Sequence, residues 1–183
     1  INNMSFITTT FRSETIDLGD DNRFHFINIS ALSSEIKSCI DKNIVSICEG
    51  ASSTDLSTIK LRLKNFLSPK KGTTIEMGAI AEFFTHLYLK EIGFTQQFMF
   101  LNLEEGSIKK GFDGYYLFSD KEWIYESKSG SFLNNGVTHE NKIQEAYEDL
   151  RKKISGEVKN NPWQNAYSHA SQVDINASPN VRK

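Results

Sequence analysis

Residues 110–130 read KGFDGYYLFSDKEWIYESKSG, and this segment sets the expected fold. Apolar and polar residues alternate twice along it, on either side of a polar break at 119–121. The pattern predicts a β-hairpin with strands at about 112–118 and 122–128. Because side chains alternate between the two faces of a strand, Glu126 and Lys128 are expected on one face.

Ionisable side chains lie where a half-buried strand usually carries apolar ones. Asp113 enters the first predicted strand, and Glu126 and Lys128 end the second. Two carboxylates and an amine at one end of a hairpin are costly to remove from water unless they bind something. A divalent cation is the ligand that this set favours.

The overall composition limits the possible classes of protein. A length of 183 residues suits one domain with a short appendage. No apolar run approaches the roughly 18 residues of a membrane span, and no signal peptide opens the sequence. Two cysteines, Cys39 and Cys48, favour neither a disulfide framework nor a zinc site, so a cytoplasmic location is expected. The net charge of −2 excludes a globally basic nucleic-acid binder, which leaves only local basic patches.

The remaining chain alternates between strand and helix patterns. Periodicity predicts an α/β (α+β) fold in which a short β/α region precedes a helix, three strands and a helix. Strands are expected at 6–11, 24–29, 44–47 and 98–103, helices at 31–43, 55–66, 75–91, 140–156 and 163–171, and a loop or tail at 176–183.

Glu82 is a further acidic candidate, on the helix predicted at 75–91. It has Gly78 four residues before it and His86 four residues after it, beside the apolar stripe. Gly78 and Ala79 carry little side-chain bulk, so another backbone can approach this carboxylate closely. The alternative is that Glu82 is an ordinary residue at the edge of the buried face.

The Glu-x-Lys pattern by itself carries little information, because it occurs four times. The pairs are Glu35/Lys37, Glu126/Lys128, Glu140/Lys142 and Glu157/Lys159. Glu35/Lys37 and Glu140/Lys142 lie on predicted helices, where residues two apart do not share a face, and Glu157/Lys159 follows the helix predicted at 140–156. The pair at 126 and 128 lies on a predicted strand and has an aspartate on the preceding strand.

In this order, Glu82, Asp113 and the Glu126-Ser127-Lys128 segment resemble the PD-(D/E)xK nuclease superfamily over about residues 75–155. Phe112 stands where that signature has proline. More narrowly, Gly78-x-x-x-Glu82, Lys110 to Gly114 and Tyr125 to Lys128 resemble the HamA family of the Hachiman anti-phage system.

The resemblance implies a restriction-endonuclease-like αβββα core with a mixed central sheet flanked by helices. That core would occupy residues 55–183, after an N-terminal lead-in at 1–54. The family core ends with another strand after the helix at 140–156. No convincing candidate follows that helix, so a truncated C-terminus is expected.

The resemblance also implies a function, a metal-dependent DNA endonuclease acting as the effector of bacterial anti-phage defence with a helicase subunit (HamB-like). Magnesium, for which manganese can substitute, would be bound by Asp113 and Glu126, with the main-chain carbonyl of Ser127 as a third ligand. Lys128 would lie beside the metal-bound water and the scissile phosphate. Glu82 would act through water.

Substrate binding would use local basic groups: Lys60, Arg62, Lys70, Lys71, Lys109, Lys110, Arg151, Lys152 and Lys153. For the basic run of the helix at 55–66, a solvated helix face is the favoured alternative. The motif is compatible with DNA and RNA, and with single and double strands.

Other functions remain open at this point. Asp113 with Gly114 is also typical of a turn, and Glu126 with Lys128 is typical of an exposed cross-strand charge pattern. The main alternative is a catalytically inactive nuclease-fold module that binds nucleic acid or docks a partner, with residues 4–50 as the docking surface. The other is an α/β scaffold in which the motif is coincidental and no metal binds.

Overall fold

A computed structural model describes residues 3–4, 10–20, 22–102, 107–108, 111–159 and 161–173. These residues form an α+β fold, as predicted. Its elements, in chain order, are β1 (Asn3–Met4), β2 (Ser13–Gly19), β3 (Asn22–Ile27), α1 (Ser34–Glu49), α2 (Leu56–Leu67), α3 (Thr74–Glu91), β4 (Thr95–Gln96), β5 (Leu101–Asn102), β6 (Ser107–Ile108), β7 (Gly114–Phe118), β8 (Lys121–Tyr125), α4 (His139–Ser155) and α5 (Pro162–Val173).

The N-terminal strands form an antiparallel sheet in the order β1-β2-β3. β3 confirms most of the strand predicted at 24–29. Residues 6–9 of the strand predicted at 6–11 lie outside the described residues, as does the tail predicted at 176–183. Phe11 is buried and joins the main apolar cluster.

Helix α1 corrects the strand predicted at 44–47, because the helix continues to Glu49. Its buried positions include Ile36, Asn43 and Ile47, and this spacing defines a helical face. The amide of Asn43 donates to the carbonyl of Cys39 at 2.9 Å, so the buried polar side chain is satisfied within the helix. Burial of this face outweighs the β propensity of the run from Ile44 to Ile47.

The first apolar cluster joins α1, α2 and α3. Ile47, Ile59 and Leu87 are its fully buried centre, and burying a side chain of this size contributes about 1.5–3 kcal/mol. Asp55 caps α2 and Thr73 caps α3, each by accepting a backbone N–H. The cluster draws on both sides of position 54, and the division into 1–54 and 55–183 stays a prediction.

The strand predicted at 98–103 is mostly wrong in the described residues. Phe98, Met99 and Phe100 are buried but not in a strand, and β5 includes only Leu101 and Asn102. The N–H of Phe100 donates to the carbonyl of Ile47 in α1 at 2.9 Å. A hydrogen bond to a helix end therefore replaces a sheet partner there.

The central sheet has the order β4-β7-β8, and its β7-β8 hairpin was predicted. Ser119 and Asp120 form its two-residue turn, both with positive φ, at 50° and 59°, as tight hairpins with right-handed twist require. All described strand pairs are antiparallel, so the mixed sheet is not found among them. The restriction-endonuclease-like core stays a prediction.

The second predicted strand is shorter than expected. β8 ends at Tyr125, so Glu126 and Lys128 follow the strand rather than belong to it. The N–H of Ser127 donates to Oδ2 of Asp113 at 2.7 Å. The carboxylate of Asp113 therefore accepts a backbone N–H of Ser127 that would be available for strand pairing if β8 were longer. The β7-β8 ladder ends at this point.

A second apolar cluster joins the hairpin to the C-terminal helices. Phe98, Phe112, Tyr115 and Ala166 are buried in it, and Leu150 of α4 packs against it. Helices α4 and α5 agree with the helices predicted at 140–156 and 163–171. Among the described residues, no helix is both long and apolar enough to cross a membrane.

Candidate active site

Asp113 lies immediately before β7, opposite the end of β8. Its N–H donates to the carbonyl of Tyr125 at 3.1 Å, which continues the ladder by one bond. Its Oδ2 accepts from both the N–H and the hydroxyl of Ser127, at 2.7 and 2.8 Å. Two donors from one residue therefore fix the orientation of this carboxylate.

Glu126 is almost completely buried, with 3% of its side chain exposed. Its Oε1 lies 3.1 Å from Nζ of Lys128, and its Oε2 accepts from Nζ of Lys153 in α4. Burial raises the pKa of Glu126 and the charge of Asp113 adds to the increase, while Lys153 opposes it. The two lysines thus hold a desolvated carboxylate in place.

Lys128 is shared between two carboxylates. Its Nζ lies 3.1 Å from Oε1 of Glu126 and 2.5 Å from Oδ2 of Asp149. Burial disfavours its charge, but the bonds to Asp149 and Glu126 outweigh burial and hold the pKa of Lys128 above its ordinary value. The hydrogen bond from Lys128 correspondingly lowers the pKa of Asp149. This side chain stays an ammonium ion at neutral pH.

We call these five residues the ion-pair cluster: Asp113, Glu126, Lys128, Asp149 and Lys153. Three carboxylates face two ammonium groups, so the cluster keeps one formal negative charge. A partly buried excess of negative charge attracts a cation.

Glu82 belongs to a buried network next to the cluster. It is 5% exposed, and its Oε1 lies 3.4 Å from Nε2 of His86. Nδ1 of His86 pairs with the hydroxyl of Tyr116. Burial raises the pKa of Tyr125, and the charges of Glu82 and Asp113 both add to the increase. Tyr125 is therefore within electrostatic reach of both carboxylates.

The segment after the cluster approaches α3 at Gly78. A Cβ atom on Gly78 would lie 3.6 Å from the hydroxyl oxygen of Ser129. The prediction was that another backbone approaches here, whereas the closest atom belongs to a side chain and lies at ordinary contact distance. The distance leaves room for a methyl group.

The donor set suits a hard cation that keeps several waters. In the described part of the chain, no group of three or more His, Cys, Asp or Glu side chains is arranged to hold a metal ion. Asp113 and Glu126 supply two carboxylates, and burial together with the charge of Asp113 raises the pKa of Glu126. Magnesium prefers oxygen ligands and often binds through one or two carboxylates with retained waters, so these residues fit it.

The upstream basic candidates are largely engaged within the chain. Lys60 pairs with Asp41 at 2.6 Å, and Arg62 pairs with Glu49. Nζ of Lys70 donates to a backbone carbonyl at 2.9 Å and lies over the Phe66 ring. These contacts agree with the solvated, self-paired helix face that was the alternative. Lys71 is exposed.

The downstream candidates divide into two groups. Arg151 pairs with Glu148 and Glu157, and Lys152 is exposed. Lys153, predicted to contact substrate, instead pairs with Glu126. Lys109 and Lys110 lie outside the described residues.

Asp149 was missed as part of the site, and Lys153 was predicted as a substrate contact and not as the partner of Glu126. Asp149 and Lys153 lie four residues apart on α4, a spacing that puts them on one helix face. That spacing was the available signal in the sequence. Nothing in the local pattern indicated that this face meets the end of the hairpin.

Comparison with known proteins gives one positive result. A protein-family model described as HamA matches residues 4–172, which is most of the chain. No curated protein and no solved structure matches the chain.

Proposed function

This chain belongs to the HamA family, and on that premise we propose that it is a metal-dependent nuclease that hydrolyses phosphodiester bonds of DNA. Family membership connects the chain with Hachiman anti-phage defence. In the proposal, it is the endonuclease effector of that system, acting in the cytoplasm with a helicase subunit.

One observation carries the proposal. Glu126, a buried carboxylate, is held by two lysines within electrostatic reach of a second carboxylate, Asp113. A structural ion pair needs one acid and one base, whereas this cluster keeps an excess of acid. Phosphodiester cleavage uses such a set, because acids bind the cation and a lysine contacts the phosphate.

Asp113, Glu126 and the main-chain carbonyl of Ser127 would hold magnesium, with manganese as a substitute. When bound, the ion polarises the phosphate and lowers the pKa of a coordinated water. The two hydrogen bonds from Ser127 keep Asp113 oriented before any metal arrives. Asp113 itself then needs little reorientation on binding.

Lys128 would act as a cation. Its raised pKa keeps the ammonium charged, so it is suited to contact a phosphate oxygen and to orient water. A general base would need the neutral amine, which this setting disfavours. Asp149 and Glu126 fix its position.

Glu82 would be a positioning residue. It acts through its buried network with His86 and through Tyr125, whose environment it shares with Asp113. The exposed Lys71 and Lys152, together with Lys109 and Lys110, would contact the DNA backbone.

The alternative is an inactive nuclease-fold module that binds a partner or nucleic acid. An exposed apolar row on α4 favours a docking role, since Ile143, Tyr147 and Ile154 are 58%, 61% and 50% exposed. Exposed apolar side chains grouped on one element are typical of interaction surfaces. A docking face is also compatible with an active nuclease.

The test is a cleavage assay on plasmid and single-stranded DNA with magnesium, manganese or EDTA. Wild type is compared with Lys128→Ala, with and without the co-encoded helicase. Lys37→Ala is the matched control, because Lys37 is exposed on α1 and ends a second Glu-x-Lys pattern.

We expect metal-dependent cleavage by wild type and Lys37→Ala, and none by Lys128→Ala. Equal activity of Lys128→Ala and wild type would remove the ion-pair cluster from the mechanism. If neither wild type nor the variants cleave under any condition and metal leaves the melting temperature unchanged, the results favour the inactive binding module over the nuclease.

A further inference from the structure

A pocket lies at the end of the central hairpin that is opposite the ion-pair cluster, beside the Ser119–Asp120 turn. Its volume is about 330 Å³, within the range of about 300–1,000 Å³ that is usual for small-molecule sites. Five-residue strands separate it from the ion-pair cluster, or about 17 Å at 3.3–3.4 Å per residue. Its lining includes Arg23, His25, Phe94, Phe118, Lys121 and Trp123.

Three aromatic rings form one wall of this pocket. The rings of Phe94 and Phe118 are stacked, with centroids 4.3 Å apart and planes 9° from parallel. Trp123 meets Phe94 edge-on at 5.8 Å. Trp123 is 41% exposed, although it is the largest apolar side chain of the hairpin. An exposed indole beside a stacked pair is suited to bind another planar ring.

The pairing of β7 with β8 places a charged side chain, Lys121, beside these rings. Phe118 pairs directly with Lys121, and Trp123 lies two residues further along β8, so the three share one face. Arg23 of β3 also lines the pocket. Among the described residues that line the pocket, none is acidic. The charge therefore complements an anion next to an aromatic platform.

His25 adds a polar side chain to the pocket lining. Its Nδ1 lies 2.8 Å from the hydroxyl of Tyr88 and 3.2 Å from that of Thr15. Burial lowers the pKa of His25 and the charge of Arg23 adds to the decrease, so the ring is neutral at neutral pH.

We propose that this pocket binds one nucleotide unit, with its base against Trp123 and the Phe94–Phe118 pair and its phosphate near Arg23 and Lys121. A base stacks on an aromatic face, and a phosphate binds to cationic side chains. This cavity is lined by aromatic and by cationic side chains. The unit is either a free mononucleotide or an unpaired nucleotide of a strand. The inference is independent of the nuclease proposal, because the pocket and the ion-pair cluster share no residue.

The test measures binding by titration calorimetry in EDTA, so that no metal occupies the ion-pair cluster. The probes are adenosine 5′-monophosphate, a short single-stranded DNA oligonucleotide and ribose 5-phosphate, which lacks a base. The variants are Trp123→Ala and Arg23→Gln. Their controls are Phe132→Ala and Arg12→Gln, an exposed aromatic and an exposed arginine that do not line the pocket.

We expect wild type and both controls to bind adenosine monophosphate, and Trp123→Ala to bind it about five- to a hundredfold more weakly, as loss of base stacking predicts. Arg23→Gln should weaken binding in the same direction. Tighter binding of the oligonucleotide than of the mononucleotide would assign the site to a strand, and equal or weaker binding would assign it to a free nucleotide.

Three results would overturn the proposal. The first is that wild type binds neither base-containing probe. The second is that Trp123→Ala and Arg23→Gln, each folded by circular dichroism, bind as wild type does. The third is that ribose 5-phosphate binds as tightly as the mononucleotide, since the base would then contribute nothing.

Discussion

Nζ of Lys128 lies 2.5 Å from Oδ2 of Asp149, a contact that ties the segment after the central hairpin to α4. Lys128 was predicted from the motif, and Asp149 was not. The carboxylate of Asp149 belongs to α4 and not to the hairpin that precedes Lys128. The position of the proposed phosphate contact therefore depends on a helix outside the motif.

Asp149→Asn should lower kcat for cleavage about 10- to 100-fold, as is usual when a residue that orients an active-site group is lost. KM should change little, because Asp149 would not touch the DNA. Asp149→Glu should restore part of the activity, since it returns the charge. Steady-state cleavage kinetics give kcat and KM for wild type and for both variants.

Glu148→Gln is the control for that prediction, because Glu148 is the neighbouring acid on α4 and pairs with Arg151. Wild-type kinetics are expected for it. An equal decrease in both α4 variants would show that the helix as a whole, and not the Lys128 contact, is being disturbed.

Magnesium should stabilise the protein. A ligand that binds only the folded state adds about 2.7 kcal/mol at a hundred times its Kd. Asp113→Asn removes one proposed ligand and should abolish most of the increase in melting temperature. Differential scanning fluorimetry with magnesium chloride, and with sodium chloride at the same ionic strength, measures it.

Asp41→Asn is the matched control for magnesium binding, because it removes an exposed carboxylate that pairs with Lys60. The increase in melting temperature should persist in this variant. An increase that survives in Asp113→Asn would place the ion elsewhere in the protein.

Alkaline pH should destabilise the fold through Tyr116. Burial raises the pKa of its hydroxyl far above the ordinary value of about 10. The unfolded chain therefore loses this proton first, and stability falls as pH rises from about 10 toward the folded pKa. Tyr116→Phe should lower stability at neutral pH, because the hydrogen bond to His86 is lost. The same variant should lose less stability than wild type as the pH rises above 10.

Urea unfolding at neutral and alkaline pH measures that difference. Tyr147→Phe is the control, since Tyr147 is 61% exposed, and it should follow wild type at every pH. If Tyr116→Phe and wild type lose the same stability between the two conditions, Tyr116 does not account for the alkaline loss.

Two glycine substitutions should act in opposite directions. A Cβ on Gly114 would lie 2.7 Å from Tyr116 and 3.0 Å from Tyr125, so Gly114→Ala should cost about 1–3 kcal/mol through overpacking. A Cβ on Gly78 meets only ordinary contact with Ser129, so Gly78→Ala should stabilise α3 by about 0.5–1 kcal/mol. Chemical denaturation of the two variants gives the signs.

Local pattern predicted the elements whose signals are short-range. The β7-β8 hairpin follows from alternation around the polar break at 119–121, and α3 and α4 follow from the helical spacing of apolar residues. Each depends on residues close in sequence, which is why their types and approximate limits could be predicted.

Long-range contacts decided the rest. The run from Ile44 to Ile47 stays helical because distant residues bury its face. β8 stops at Tyr125 because Asp113 takes the next backbone donor. In the candidate site, the motif identified Asp113, Glu126 and Lys128, whereas Asp149 and Lys153 required the packing of α4 against the hairpin.

The pairing of Glu126 with Lys153 means that this carboxylate already has a counter-ion when no metal is bound. A divalent ion entering at Glu126 must compete with the ammonium group, so the ion pair lowers the apparent affinity for metal. No residue of α4 is fully buried, and Leu150 packs against the second apolar cluster. In the proposed nuclease, metal binding at Glu126 would exchange one cation for another and release the ammonium group of Lys153 beside the site, where a phosphate could use it.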